Sequence, residues 1–87
     1  MERIEAAAIR YSAGFFALAP PSRHHDVVEF LTSQGVQQGP DWQEGFLTNT
    51  GRFVDRKGAY PIAEAAGQIV PGAIPHVYKD LYSEDLW

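Results

Sequence analysis

The chain has 87 residues, 45% hydrophobic and 13% aromatic, with no cysteine and a net charge of -4 from 7 Lys and Arg against 11 Asp and Glu. That is one domain's worth of sequence, residues 1–87, with enough apolar material for a core and no means of making disulfides or thiolate zinc sites. The lack of a basic stripe argues against extended nucleic-acid binding, and the lack of ~18 consecutive apolar residues argues against a membrane partner. The opening MERIEAAAIRYSAG is charged and has no apolar run of signal-peptide length, so a soluble cytoplasmic protein is expected. A chain this small leaves much of its surface in water, which makes a homo-oligomer, a dimer or higher, the expected state.

Residues 5–11, EAAAIRY, are rich in alanine and compatible with helix or strand, but Ser12-Ala13-Gly14 followed by FFALAP reads as a turn between two strands, so a hairpin is expected. Pro20-Pro21 ends it. Ser22 is a good N-cap, and Val27, Val28, Phe30 and Leu31 have the spacing of an amphipathic helix from about Arg23 to Gln34. A polar loop over 36–44 turns at Gly39-Pro40, and two short runs flanking Asn49-Thr50-Gly51 form a second hairpin. Asp55 looks like the cap of a second helix over roughly 56–68, with Ile62, Ala63, Ala66 and Ile69 able to share a face. Gly58 and Pro61 weaken its start, and Pro61 suits a first turn, which places the regular helix from Tyr60 onward. A loop, VPGAIP, covers 70–75, and the tail to Trp87 is mixed apolar and acidic. The expected fold is α+β: one compact domain in which two short β-hairpins form a small antiparallel sheet packed with two helices, in ββαββα order.

The chemistry is most pointed at S-R-H-H-D, residues 22–26. A helix N-terminus already carries positive potential from its dipole and free N–H groups, so Arg23, His24 and His25 break a local rule. Together they suit a phosphate or pyrophosphate. The structural alternative is that one histidine packs, the other is solvated and Arg23 pairs with a carboxylate. By the dipole argument, Arg23→Ala should raise stability slightly. The second helix start repeats the anomaly with Arg52, Arg56 and Lys57, and its own alternative is that Arg56 and Lys57 point to water. Trp42, Phe46, Phe53, Tyr60, Tyr78, Tyr82 and Trp87 exceed the needs of a small core. Phe46 and Phe53 are expected inside, while Trp42, Tyr82 and Trp87 are candidates for stacking on bases. Ser83, Glu84 and Asp85 offer acceptors to ribose hydroxyls or a base edge; a solvated acidic tail is the plainer reading of the two carboxylates. No nucleophile elbow, P-loop or dinucleotide fingerprint is present. His24-His25 lacks the i, i+4 spacing of a helical zinc pair, and His76 is remote in sequence, so no metal and no cofactor are expected.

The blocks RHHDVV at 23–28, GFLTNTGRFVDR at 45–56, IAEAAGQ at 62–68 and LYSEDLW at 81–87 resemble, in order and over most of the chain, a group of small uncharacterised proteins of tailed phages and prophages. The family usually has good helix formers where this chain carries Gly58 and Pro61. The resemblance implies an accessory phage protein acting in the host cytoplasm, and interference with host immunity is a frequent role of such proteins. Combined with the cationic helix starts, it leads to a counter-defence sponge. Such a protein sequesters a nucleotide-derived immune signal, a cyclic ADP-ribose type or a cyclic oligonucleotide, through Arg23, His24, His25, Arg52, Arg56, Trp42, Tyr82 and Trp87. Two alternatives stand beside it: a phosphodiesterase-like enzyme cleaving such a signal with His24 and His25 as acid and base, and an acidic, protein-binding inhibitor of a defence complex of the anti-CRISPR type.

Overall fold

A computed structural model describes residues 1–70 and 80–87; Tyr78, His76 and most of the expected 70–75 loop lie outside that range. Strands β1 (Ile4–Tyr11), β2 (Gly14–Leu18), β3 (Gln43–Thr48) and β4 (Phe53–Asp55) and helices α1 (His24–Ser33) and α2 (Arg56–Ala65) follow in ββαββα order. The sheet is antiparallel throughout, with spatial order β2-β1-β3-β4. Among the described residues, no helix is long and apolar enough to cross a membrane.

The alanines of β1 are explained by its central place. Ala7 and Ile9 face the helices and join a core with Val27, Leu31, Phe46, Val54, Ala59 and Ala63. Ala6 and Ala8 are also buried, but by strand alternation they lie on the opposite face. Both faces of β1 therefore need small or apolar side chains, which overrides the helix propensity of alanine. Both helices pack on one face, and Phe53 lies on the other. It is paired with Leu47 in register, half-buried, and its ring is 5.7 Å from that of Phe15. The expectation that Phe53 is a core residue alongside Phe46 fails because the register turns it away from the helices. Its place requires Gly45: a methyl group there would stand 2.3 Å from both the Phe53 ring and the Val54 carbonyl oxygen.

Helix α2 begins at Arg56, four residues before the expected Tyr60. Asp55 accepts a hydrogen bond from the Gly58 N–H at 2.7 Å, and the Leu81 N–H donates to the Arg56 carbonyl at 3.0 Å, so the first turn is fixed from both sides. Pro61 sits inside the helix on its exposed side. The carbonyl its missing N–H leaves free belongs to Lys57, which is itself exposed. The helix closes with Gly67 at φ +68, where the Gln68 N–H bonds to the Ala63 carbonyl and the Gly67 N–H to that of Glu64.

Gln68 then reaches the sheet. Its side-chain oxygen accepts from the Ile4 N–H at 2.7 Å and its amide donates to the Ile4 carbonyl at 2.8 Å. β2 pairs with β1 only from Ala7 onward, so this side chain stands in for a strand where β2 has ended. The tail is folded in as well. Leu81, Ser83, Asp85 and Leu86 are buried, and Ser83–Asp85 form one turn of 3-10 helix in which the Asp85 carboxylate accepts from the Tyr82 N–H at 3.0 Å. Asp85 is therefore a structural group, while Glu84 stays exposed.

Candidate functional site

The cationic start of the RHHD helix has a local answer. Arg23, one residue later than the expected Ser22, is the N-cap of α1. Asp26, in the third helical position, accepts a hydrogen bond from the Arg23 N–H at 2.8 Å. The block thus carries its own anion at the helix N-terminus, where the dipole favours one.

His24, in the first helical position, is buried. Its Nε2 is 2.7 Å from the Gly45 carbonyl and its ring meets Phe46 edge-on at 4.9 Å. A carbonyl can only accept, so Nε2 carries the proton and is committed to β3. Burial holds the imidazole below its ordinary pKa, the Gly45 bond opposes this, and the Arg56 charge lowers it further. His25, one position on, is 72% exposed at its side chain and lies 3.3 Å from the Asp26 carboxylate.

Arg23 donates to the main-chain oxygen of Trp87 at 2.5 Å and stands 4.0 Å from Glu84, and the Trp87 indole N–H donates to the Ser22 carbonyl at 3.0 Å. The guanidinium and the indole therefore clasp the tail to the start of α1. That arrangement reverses the expectation for Arg23→Ala, since the lost contacts outweigh relief of the dipole.

Arg56 occupies the first position of α2. It donates to Glu44 at 2.7 Å and its guanidinium lies 4.5 Å from the centre of the Tyr82 ring. The same Glu44 oxygen is 3.8 Å from Nδ1 of His24, so one carboxylate joins the two helix starts. Among the described residues, the buried Nε of Arg56 has no hydrogen-bond partner. Beside it is a cleft of about 410 Å³ lined by Trp42, Gln43, Glu44, Asp55, Arg56, Lys57 and Asp80. Trp42 is half-buried, with its ring 6.1 Å from that of Tyr11, and Lys57 is 3.9 Å from Asp80. A second cleft of about 420 Å³ includes Trp87, Gln68, Arg3 and Asn49.

Arg52 lies apart from this group. Its guanidinium grips Glu2 in two bonds of 2.7 and 2.6 Å, and Thr50 donates to the same carboxylate at 2.7 Å. These bonds bring the Glu2 carboxyl down to about 2. Four residues of extended chain, about 13 Å, separate Arg52 from Arg56.

Of the eight residues singled out in the sequence, the fold thus brings Trp42 and Arg56 into one cleft and stacks Tyr82 on Arg56. It links His24 to Arg56 through Glu44 and bonds Arg23 to Trp87. It leaves His25 in solvent and Arg52 at the second hairpin. Glu44, Gln43 and Asp80 were missed; Glu44 acquires its place only through long-range pairing and has no local signature. Among the described residues, no group of three His, Asp or Glu is placed to hold a metal ion.

No curated protein and no solved structure matches the chain. A family model described as Phage T4 y16D protein matches residues 3–87, almost the whole sequence, and the protein belongs to that phage family.

Proposed function

We propose that this phage protein binds and sequesters a nucleotide-derived immune signal, a cyclic ADP-ribose type or a cyclic oligonucleotide, in the host cytoplasm. The observation that carries the reading is that Trp42, Arg56 and Lys57 line one cleft, of a volume within the range of small-molecule sites. An aromatic face stacks on a base of any identity, for ~1–3 kcal/mol. The two cations can pair with phosphate oxygens in place of Glu44 and Asp80, and those carboxylates, with Gln43, then accept from ribose hydroxyls or donor edges of a base. Sequestration needs no acid or base, and the His24 imidazole, which reaches the cleft only through Glu44, already spends its N–H on Gly45.

The test is incubation with a panel of cyclic nucleotides and ADP-ribose derivatives, removal of free ligand, denaturation and chromatography. Intact ligand should be returned. Arg56→Ala and Trp42→Ala should each weaken binding roughly 10- to 100-fold, the scale of a charge-assisted hydrogen bond or one stacked base. Altered ligand would overturn sequestration in favour of turnover, and no retention from any member of the panel would shift the reading to a protein-binding inhibitor.

A further inference from the structure

The sheet has two edges of unlike character. β4 has only three residues, ends on the charged Asp55 and is preceded by Arg52. β2, GFFAL, carries neither charge nor proline, two of the usual devices that close an edge. The two-residue turn makes Tyr11 and Gly14 a hydrogen-bonded pair. By alternation Phe16 and Leu18 also direct their polar groups to β1. The N–H and C=O groups of Phe15 and Ala17 therefore point outward from the sheet.

Apart from Met1, the large hydrophobic side chains left exposed among the described residues are Phe15 at 38% and Phe30 at 40%. Both stand at this edge, one on each side of the sheet. Phe15 is on the open face, and Phe30 of α1 stacks on Phe16 on the helix face, with rings 4.9 Å apart and 8° from parallel.

We infer that β2 pairs antiparallel with β2 of a second copy of this chain, about a two-fold axis at Phe16. The register is self-complementary. The Phe15 and Ala17 groups of each copy satisfy the Ala17 and Phe15 groups of the other, giving four hydrogen bonds. On the open face each Phe15 is paired in register with the small Ala17 of the other copy, and on the helix face the two Phe16–Phe30 stacks meet across the axis. Two four-stranded sheets become one, with the Trp42–Arg56 cleft of each copy at the far edge. Pairing therefore neither builds nor closes that cleft, and it stands or falls independently of nucleotide binding.

Light scattering across micromolar concentrations should give twice 9.7 kDa. Ala17→Pro deletes an outward N–H while sparing every β1–β2 bond, and Phe30→Glu places charge at the axis, losing the Phe16–Phe30 stack but none of the β1–β2 hydrogen bonds. Each should raise the dimer dissociation constant at least tenfold while leaving the far-ultraviolet circular dichroism of the monomer unchanged. In hydrogen exchange, the Phe15 and Ala17 amides should gain protection with concentration. A mass of 9.7 kDa throughout that range overturns the inference. So does a dimer indifferent to Phe30→Glu in which those two amides exchange freely, because it would pair elsewhere; this second criterion holds even if Ala17→Pro does not fold.

Discussion

The two helix starts invite comparison because the same pattern is met in different ways. In each, the first helical residue turns inward, His24 in α1 and Arg56 in α2, and both approach one oxygen of Glu44. The second residue turns outward in each: the side chain of His25 is 72% exposed and that of Lys57 69%. Each has a capping carboxylate, but in opposite sense. Asp26 reaches back to the cap residue of α1, whereas Asp55 is itself the cap of α2 and reaches forward to Gly58. The reciprocal bonds of a capping box are thus divided between two helices. The difference at the inward position decides the use. A buried imidazole can sit there neutral and serve the core, while a guanidinium stays charged and must face a carboxylate, a ring and a cleft. Equal cation counts at two helix starts do not mean equal availability to a ligand.

The sharpest way to break this comparison is to truncate the two inward residues. His24→Ala should cost about 2–4 kcal/mol in urea unfolding, from the cavity beside Phe46 and the lost bond to the Gly45 carbonyl. Arg56→Ala, at a half-buried site, should cost about 1 kcal/mol. Equal losses would show that both positions are core positions.

Next are the caps. Asp26→Ala and Asp55→Ala should each cost about 1 kcal/mol, and the double variant should lose the sum to within about 0.5 kcal/mol because the two caps share no partner. A marked departure from additivity would mean that the helix starts are coupled, with Glu44 as the link.

Acidity sharpens the distinction further. The His24 pKa is depressed in the fold, so below its unfolded value of about 6.5 the unfolded chain binds the extra proton first. The stability due to neutral His24 is complete above that value and falls as pH drops toward the folded pKa. Denaturant midpoints between pH 7.5 and 5 should therefore decline, and His24→Gln should decline less over the same interval. The exposed second positions give the smallest effect: His25→Ala and Lys57→Ala should each stay within ~0.5 kcal/mol of the parent in thermal melts.

Local signals carried most of the fold. Ser12-Ala13-Gly14 and Asn49-Thr50-Gly51 marked both hairpins, and the Val27–Leu31 spacing marked α1, because turn chemistry and periodicity are properties of neighbouring residues. Propensity misplaced the start of α2: Gly58 and Pro61 weaken an isolated helix, but the Asp55 cap and the Leu81 contact fix this one. At the site, the imbalance of charge at 23–25 and 52–57 was visible, and its resolution was not. The anomaly was assigned to Arg23, His24 and His25, and Asp26 beside them was not recognised as its local compensation. Arg23 and Arg52 find partners 64 and 50 residues away, at Trp87 and Glu2, beyond any window of sequence, and Arg56 meets Glu44, 12 residues away, only once the second hairpin has set its register.

Gln68 gives the sheet a protection that no strand provides. Where β2 stops, the Ile4 N–H and C=O would lie open to any extended segment of another molecule. One side-chain amide, brought from the end of α2, occupies both groups. Losing it should be felt less in the unfolding midpoint than in colloidal behaviour: an unblocked stretch of backbone next to buried apolar residues is a template for indefinite strand addition. Gln68→Ala preparations would show it as turbidity that grows with concentration and time at temperatures well below the melt.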